Sequence, residues 1–181
     1  MLRIALASFA LAVVACAALA QDARPYAGMD QRRIKALSDQ QVADLRAGRG
    51  MGLALPAELN GYPGPSHVIE LADQLELSPE QLVKTRALFL DMKADAVPIG
   101  ERLIRQQAEL DQLFASKLIT PESLARVTQA VGLTQAELRN AHLKYHLATV
   151  AVLTPVQVKR YGELRGYASN APVHSRGHSH N

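Results

Sequence analysis

A pentad written twice constrains this chain more than any other feature: Leu77-Ser78-Pro79-Glu80-Gln81 returns as Leu153-Thr154-Pro155-Val156-Gln157. Each copy is built to start a helix. Ser78 or Thr154 suits the N-cap, where a side-chain oxygen accepts from a backbone N–H that has no intrahelical partner. Pro79 or Pro155 then occupies the first helical position, where its missing N–H costs nothing. Gln81 or Gln157, three residues past the cap, can reach back and close a capping box. Leu77 or Leu153 precedes the cap and can staple the incoming chain to the first turn.

The sequence between and around the pentads reads as helix. After the first pentad a long helix is expected over residues 79 to about 116. Val83, Ala87, Leu90, Ala94 and Val97 form one apolar stripe along it. Pro98 interrupts this helix, and a kink rather than a stop is expected, because Ile99, Leu103, Leu110 and Phe114 resume a stripe. Residues 117–120 form a hairpin turn, and Thr120-Pro121-Glu122 starts the next long helix by the same logic. Its seam is Leu124, Val127, Val131, Thr134, Leu138, Ala141, Tyr145, Ala148 and Val152, with spacings of three and four. The seam keeps its phase across Gly132, which favours one continuous helix. The second pentad opens a last helix to about residue 166. No β signal appears.

Ahead of this hairpin, residues 21–37 read as a loose leader. Ser38-Asp39-Gln40-Gln41 is another capping box, opening a short helix that Gly48 stops. Residues 48–65 hold Gly48, Gly50, Gly52, Gly61 and Gly64 with three prolines, and read as a long arm. Leu53, Leu55, Leu59 and Tyr62 are available to pack on the body. The Gly48–Gly52 run follows no strand, so a flexible arm is favoured over a phosphate cradle. Ser66 is placed as the cap of a helix through residue 75.

The N-terminus reads as an export signal over residues 1–20. Arg3 supplies the positive charge, residues 4–15 are apolar apart from Ser8, and Ala18-Leu19-Ala20 offers a cleavage site. Val13-Val14-Ala15-Cys16 also fits a lipobox, which would lipidate Cys16 and hold the protein at a membrane. With plain cleavage the mature chain has no cysteine, so disulfides and thiol catalysis are excluded. Lys and Arg total 20 against 17 acids, and losing Arg3 leaves 19 against 17. Such a balanced, exported chain speaks against a nucleic-acid partner. About 160 residues remain, enough for one domain.

The pentads, in this order and around a helical hairpin, resemble the LTxxQ signature of the Spy/CpxP family of bacterial periplasmic proteins. The motif residues are Leu77, Ser78, Gln81, Leu153, Thr154 and Gln157, and the resemblance spans roughly residues 66–167. It implies an all-α fold: a long kinked helical hairpin with short flanking helices, paired as an antiparallel, cradle-shaped dimer. The resulting division is a signal at 1–20, an N-terminal extension at 21–65, a helical domain at 66–168 and a tail at 169–181. The implied function is an ATP-independent periplasmic chaperone or envelope-stress protein that binds unfolded or partly folded envelope proteins. Arg86, Lys93, Arg102 and Arg105 offer charge for that encounter. Relatives of the CpxP kind also suggest docking on an envelope sensor kinase.

Histidines support a second reading, a periplasmic metal-binding or metal-sensing protein. His142 and His146 stand four apart, so both project from one side of a helix, at the edge of its seam. His67 and Glu70, three apart, could add ligands if their helix packs alongside. Sensor members of the resembling family bind nickel or cobalt through His and Glu on adjoining helices, and the tail carries His174, His178 and His180, which could chelate zinc, nickel or copper without a formed site. Ordinary boundary histidines and an opportunistic tail stand beside these readings, and no cofactor is required by the chaperone one. Catalysis finds no support: there is no Gly-x-Ser-x-Gly and no His-Glu-x-x-His. Acids pair with bases along helices, as Glu101 with Arg105, and Asp91 and Asp95 read as exposed surface.

Overall fold

A computed structural model describes residues 25–167, so Cys16 and the stretch read above as an export signal, with the histidines of the tail, lie outside the described residues. Within them the chain is all-helical, and no strand is present. A 3₁₀ turn, Met29–Gln31, precedes α1 (Asp39–Arg46), α2 (Leu55–Glu58), α3 (Pro65–Glu70), α4 (Pro79–Ala115), α5 (Pro121–Val150) and α6 (Pro155–Leu164). The long pair α4 and α5 is the body of the fold.

Helix starts follow the sequence closely. Complete capping boxes join Ser38 with Gln41, Ser78 with Gln81, Thr120 with Ser123, and Thr154 with Gln157. Proline fills the first turn of α4, α5 and α6. α4 runs unbroken through Pro98, and α5 through Gly132. Between them Lys117 turns left-handed at φ +61°, and Leu118 N–H bonds the Leu113 carbonyl at 3.1 Å, closing the last turn of α4.

The main core differs from the expected stripe. α4 buries Thr85, Met92, Ala96, Gly100, Leu103 and Ile104. Val83 and Leu90 of the foreseen stripe stand 66% and 65% exposed. α4 thus carries two apolar faces with the same period, and α5, α1 and α3 cover only one. On α5 the seam is right from Val127 to Ala141, but farther along His142, His146 and Thr149 are buried in place of Tyr145, Ala148 and Val152. A helix of 3.6 residues per turn drifts by about 20° per heptad against a strict seven-residue repeat, and the buried face moves to later residues accordingly.

The N-terminal extension is part of the body. Ile34, assigned above to a loose leader, is 5% exposed and joins Val42 and Leu45 against Ala96, Leu103 and Leu138. α1 crosses α4 at Gly100, where a Cβ would lie 2.6 Å from the Leu45 carbonyl oxygen. Glu101 accordingly pairs with Arg46 of α1 at 3.0 Å instead of with Arg105. α3 is shorter than foreseen and begins at Pro65 behind Gly64, so Ser66 lies inside its first turn. Of the arm residues expected to pack, only Leu53 reaches the core, whereas Leu55, Leu59 and Tyr62 stay exposed.

A second core sits where the pentads meet, with Val68, Leu75, Leu153 and Tyr161 buried and Leu71, Leu77 and Val158 packed around them. There the side-chain amides of Gln81 and Gln157 donate to each other's oxygens at 2.8 and 3.0 Å.

Two glycines separate packing from propensity. Gly100→Ala is expected to lower stability by about 1–3 kcal/mol, since backbone blocks its methyl. Gly132 faces open space, and Gly132→Ala is expected to raise stability by about 0.4–1 kcal/mol. Urea unfolding of both variants checks the pair.

Candidate functional site: a strapped histidine cavity

The glycine-rich arm is a strap laid over α5. Gly50 passes over His142, where a Cβ would stand 3.5 Å from Nδ1. Gly64 passes over His146, where a Cβ would come within 2.8 Å of the ring. Glycine is needed at Gly64 because an imidazole occupies its side-chain space. The flexible-arm reading is thereby corrected: residues 48–53 pack on α4, α5 and the main core.

Both histidines are interior groups, 2% and 7% exposed, and not the boundary residues that their seam position suggested. His146 Nδ1 lies 2.7 Å from the Tyr62 carbonyl. A carbonyl only accepts, so Nδ1 carries the hydrogen, and in the neutral ring Nε2 keeps its lone pair. His142 Nε2 is buried without a hydrogen-bond partner. Burial first, and the neighbouring His146 second, hold the His142 pKa below the usual imidazole value.

Glu58, which nothing in the sequence singled out, anchors the strap. Its side chain is only 7% exposed. Tyr161 donates a hydrogen bond to it, as does Tyr167 at 3.2 Å, and the Gly64 N–H donates to its other oxygen at 3.2 Å. His67 Nδ1 stands 3.3 Å away, His146 Nδ1 3.7 Å and Arg165 Nε 3.9 Å. A buried carboxylate surrounded by donors on α3, α5 and α6 is compensated, and removing a partner would leave charge unpaired. Burial, then the bond to Glu58, pushes the Tyr161 phenol far up.

Strap and helices line a half-open cavity of about 640 Å³ whose walls include His67, Glu70, His142 and His146. The four candidate ligands thus share one cavity, as their spacing and the packing of α3 suggested. Their donors are unequally free. His67 is held by Glu58, and Glu70 accepts from Ser66 Oγ at 3.3 Å. Among the described residues no group of three or more His, Cys, Asp or Glu is arranged to hold a metal ion. His67, His142 and His146 all line the cavity, but they do not converge as one three-ligand set.

The four cations proposed for client encounter do not form one patch. Arg86 and Arg105 are exposed on α4, Lys93 lies over the Phe89 ring at 5.8 Å, and Arg102 ties Glu137 and Thr134 of α5 to α4. Asp95 is likewise engaged, bonded by Lys144 at 2.6 Å and by the Tyr145 hydroxyl at 2.7 Å. Lys144 and then Tyr145 lower its pKa, and burial followed by Asp95 pushes the Tyr145 phenol up to about 12.

No family model, curated protein or solved structure matches this chain.

A buried, unpartnered imidazole makes stability depend on pH. Unfolded His142 takes up its proton near its ordinary value of about 6.5, and the folded side chain only at lower pH. Its contribution is therefore full above about 6.5 and lost progressively as pH falls from there toward the folded value. Urea midpoints at pH 7.5 and 5.5 are expected to fall further for the native chain than for His142→Phe.

Proposed function

We propose that this chain is an ATP-independent periplasmic chaperone or envelope-stress protein of the Spy/CpxP kind, binding unfolded or partly folded envelope proteins on a helical surface. The observation that carries this reading is the second apolar face of α4, where Val83, Ala87, Leu90 and Ala94 lie exposed in one row. Arg86 stands on the same exposed side. At the hairpin tip Phe114, Leu118 and Leu124 are exposed as well. An exposed apolar row with a charged border suits weak contact with many non-native chains. A homodimer would pair such faces and leave part of them to clients, as the cradle of the resembling family implies. Export, read from residues 1–20, supports a periplasmic address, with membrane attachment if Cys16 is lipidated. Docking on an envelope sensor kinase would use the same kind of surface.

Metal binding is the second reading, and the two free Nε2 positions of His142 and His146 favour it. Zinc, nickel, cobalt or copper would find imidazole ligands there, with the Tyr62 carbonyl orienting one of them. Two side-chain donors make a weak site unless others join.

Light scattering of an aggregating client separates the readings. Tagless mature protein without ATP and with chelator is expected to suppress aggregation near stoichiometric ratio. Val83→Glu with Leu90→Glu is expected to weaken suppression severalfold, and His142→Ala to leave it intact apart from any loss of folded protein, monitored by circular dichroism. Suppression that needs zinc and disappears in His142→Ala or His146→Ala would favour the metal reading. No suppression in either condition would sink the chaperone.

A further inference from the structure

A second groove, of about 580 Å³, lies between α1, Met51 and Leu53 of the strap, and α5, and Met51 borders the histidine cavity as well. Its floor is leucine: Leu45, Leu103 and Leu138 are buried, and Leu37 and Leu53 are half-buried beside them. Its volume falls in the range of small-ligand pockets, about 300–1,000 Å³.

The rim carries hydrogen-bond donors and a single charge. Arg139 is the one charged residue among those lining the groove, and it makes no ion pair among the described residues. Gln41 has its Oε1 committed to the Ser38 N–H at 2.8 Å, which leaves its amide hydrogens for a partner. Gln135 adds a second amide. An occupant with an aliphatic body and a carboxylate matches this arrangement on both counts. A lysine-bearing occupant would meet Arg139 as a like charge.

One wall is adaptable. Met51 is held left-handed at φ +44° between Gly50 and Gly52, a conformation that side chains other than glycine seldom adopt. Its long thioether side chain can refit to differently shaped apolar groups.

We propose that this groove binds an extended peptide segment in which an aliphatic side chain enters the leucine floor and a neighbouring carboxylate meets Arg139. The inference rests on the client-binding reading only for the source of the segment, a non-native acidic chain. The site itself follows from the leucine floor and the unpaired guanidinium.

The test is fluorescence anisotropy on the full mature protein with two labelled decapeptides. In one, leucines alternate with aspartates; in the other, lysines replace the aspartates. The native chain is expected to bind the aspartate peptide about two- to fivefold more tightly, the scale of one partly exposed ion pair. Arg139→Glu should reverse the order. Ala136→Trp, at an exposed position on the groove wall, should weaken both peptides while circular dichroism and thermal melting stay native. Equal binding of the two peptides, or an order unchanged in Arg139→Glu, would overturn the proposal. Absent peptide binding, together with a dimer that Ala136→Trp dissociates, would assign the groove to a second copy and also overturn it. Light scattering on the same variants keeps the two ideas apart. Suppression without peptide preference removes the groove and keeps the chaperone. Preference without suppression keeps the groove and removes the chaperone.

Discussion

The reciprocal amide pair of Gln81 and Gln157 joins everything else. Each side-chain oxygen accepts its own cap backbone N–H, from Ser78 at 3.0 Å and from Thr154 at 2.9 Å, and also the other glutamine's amide. Each amide nitrogen gives its second hydrogen to a carbonyl beside the other pentad, Val152 at 2.9 Å for Gln81 and Leu75 at 3.2 Å for Gln157. A primary amide has two donors and two acceptor sites, and here all are used. Glutamate in either place would lose both donors and set a charge against the other side chain's oxygen. The repeated glutamine is therefore a cap and a cross-link in one side chain.

Only the first of those roles was legible in the sequence. Capping is local, so Ser38, Ser78, Thr120 and Thr154 could be placed from a few neighbours each. The cross-link joins residues 76 apart, and no local pattern announces it. The same limit explains the choice of face on α4: periodicity reports that Val83 and Leu90 share a stripe, while the packing of α5, α1 and α3 decides which stripe is covered. Ile34 was missed because one isoleucine in a polar leader has no period. Glu58 was missed because a buried carboxylate looks like any surface acid until its phenol and imidazole partners arrive from α3, α5 and α6.

Of the candidate site, the histidine spacing carried the most information. His142 and His146 do share a helix side, and His67 and Glu70 do line the same cavity. Their burial was not foreseen, because it follows from the slow rotation of the α5 face and from a strap whose glycines admit two imidazoles. The arm's glycines, which suggested looseness, allow close contact instead. A glycine-rich stretch is as compatible with tight apposition as with freedom, and neighbours decide between them.

The amide pair also acts as a ruler. A helical hairpin with a three-and-four seam can in principle slide by one turn, about 5.4 Å, and still match apolar rows. Here the seam is pinned at both ends: the Lys117 turn fixes the tip, and the amide pair, together with the carbonyls it holds, fixes the base. A residue added to α4 or α5 would have to be absorbed as a bulge or matched on the opposite helix, or the two glutamines would no longer face each other. The relative lengths of the two helices are thus tied to one another by a contact that belongs to neither helix's midsection.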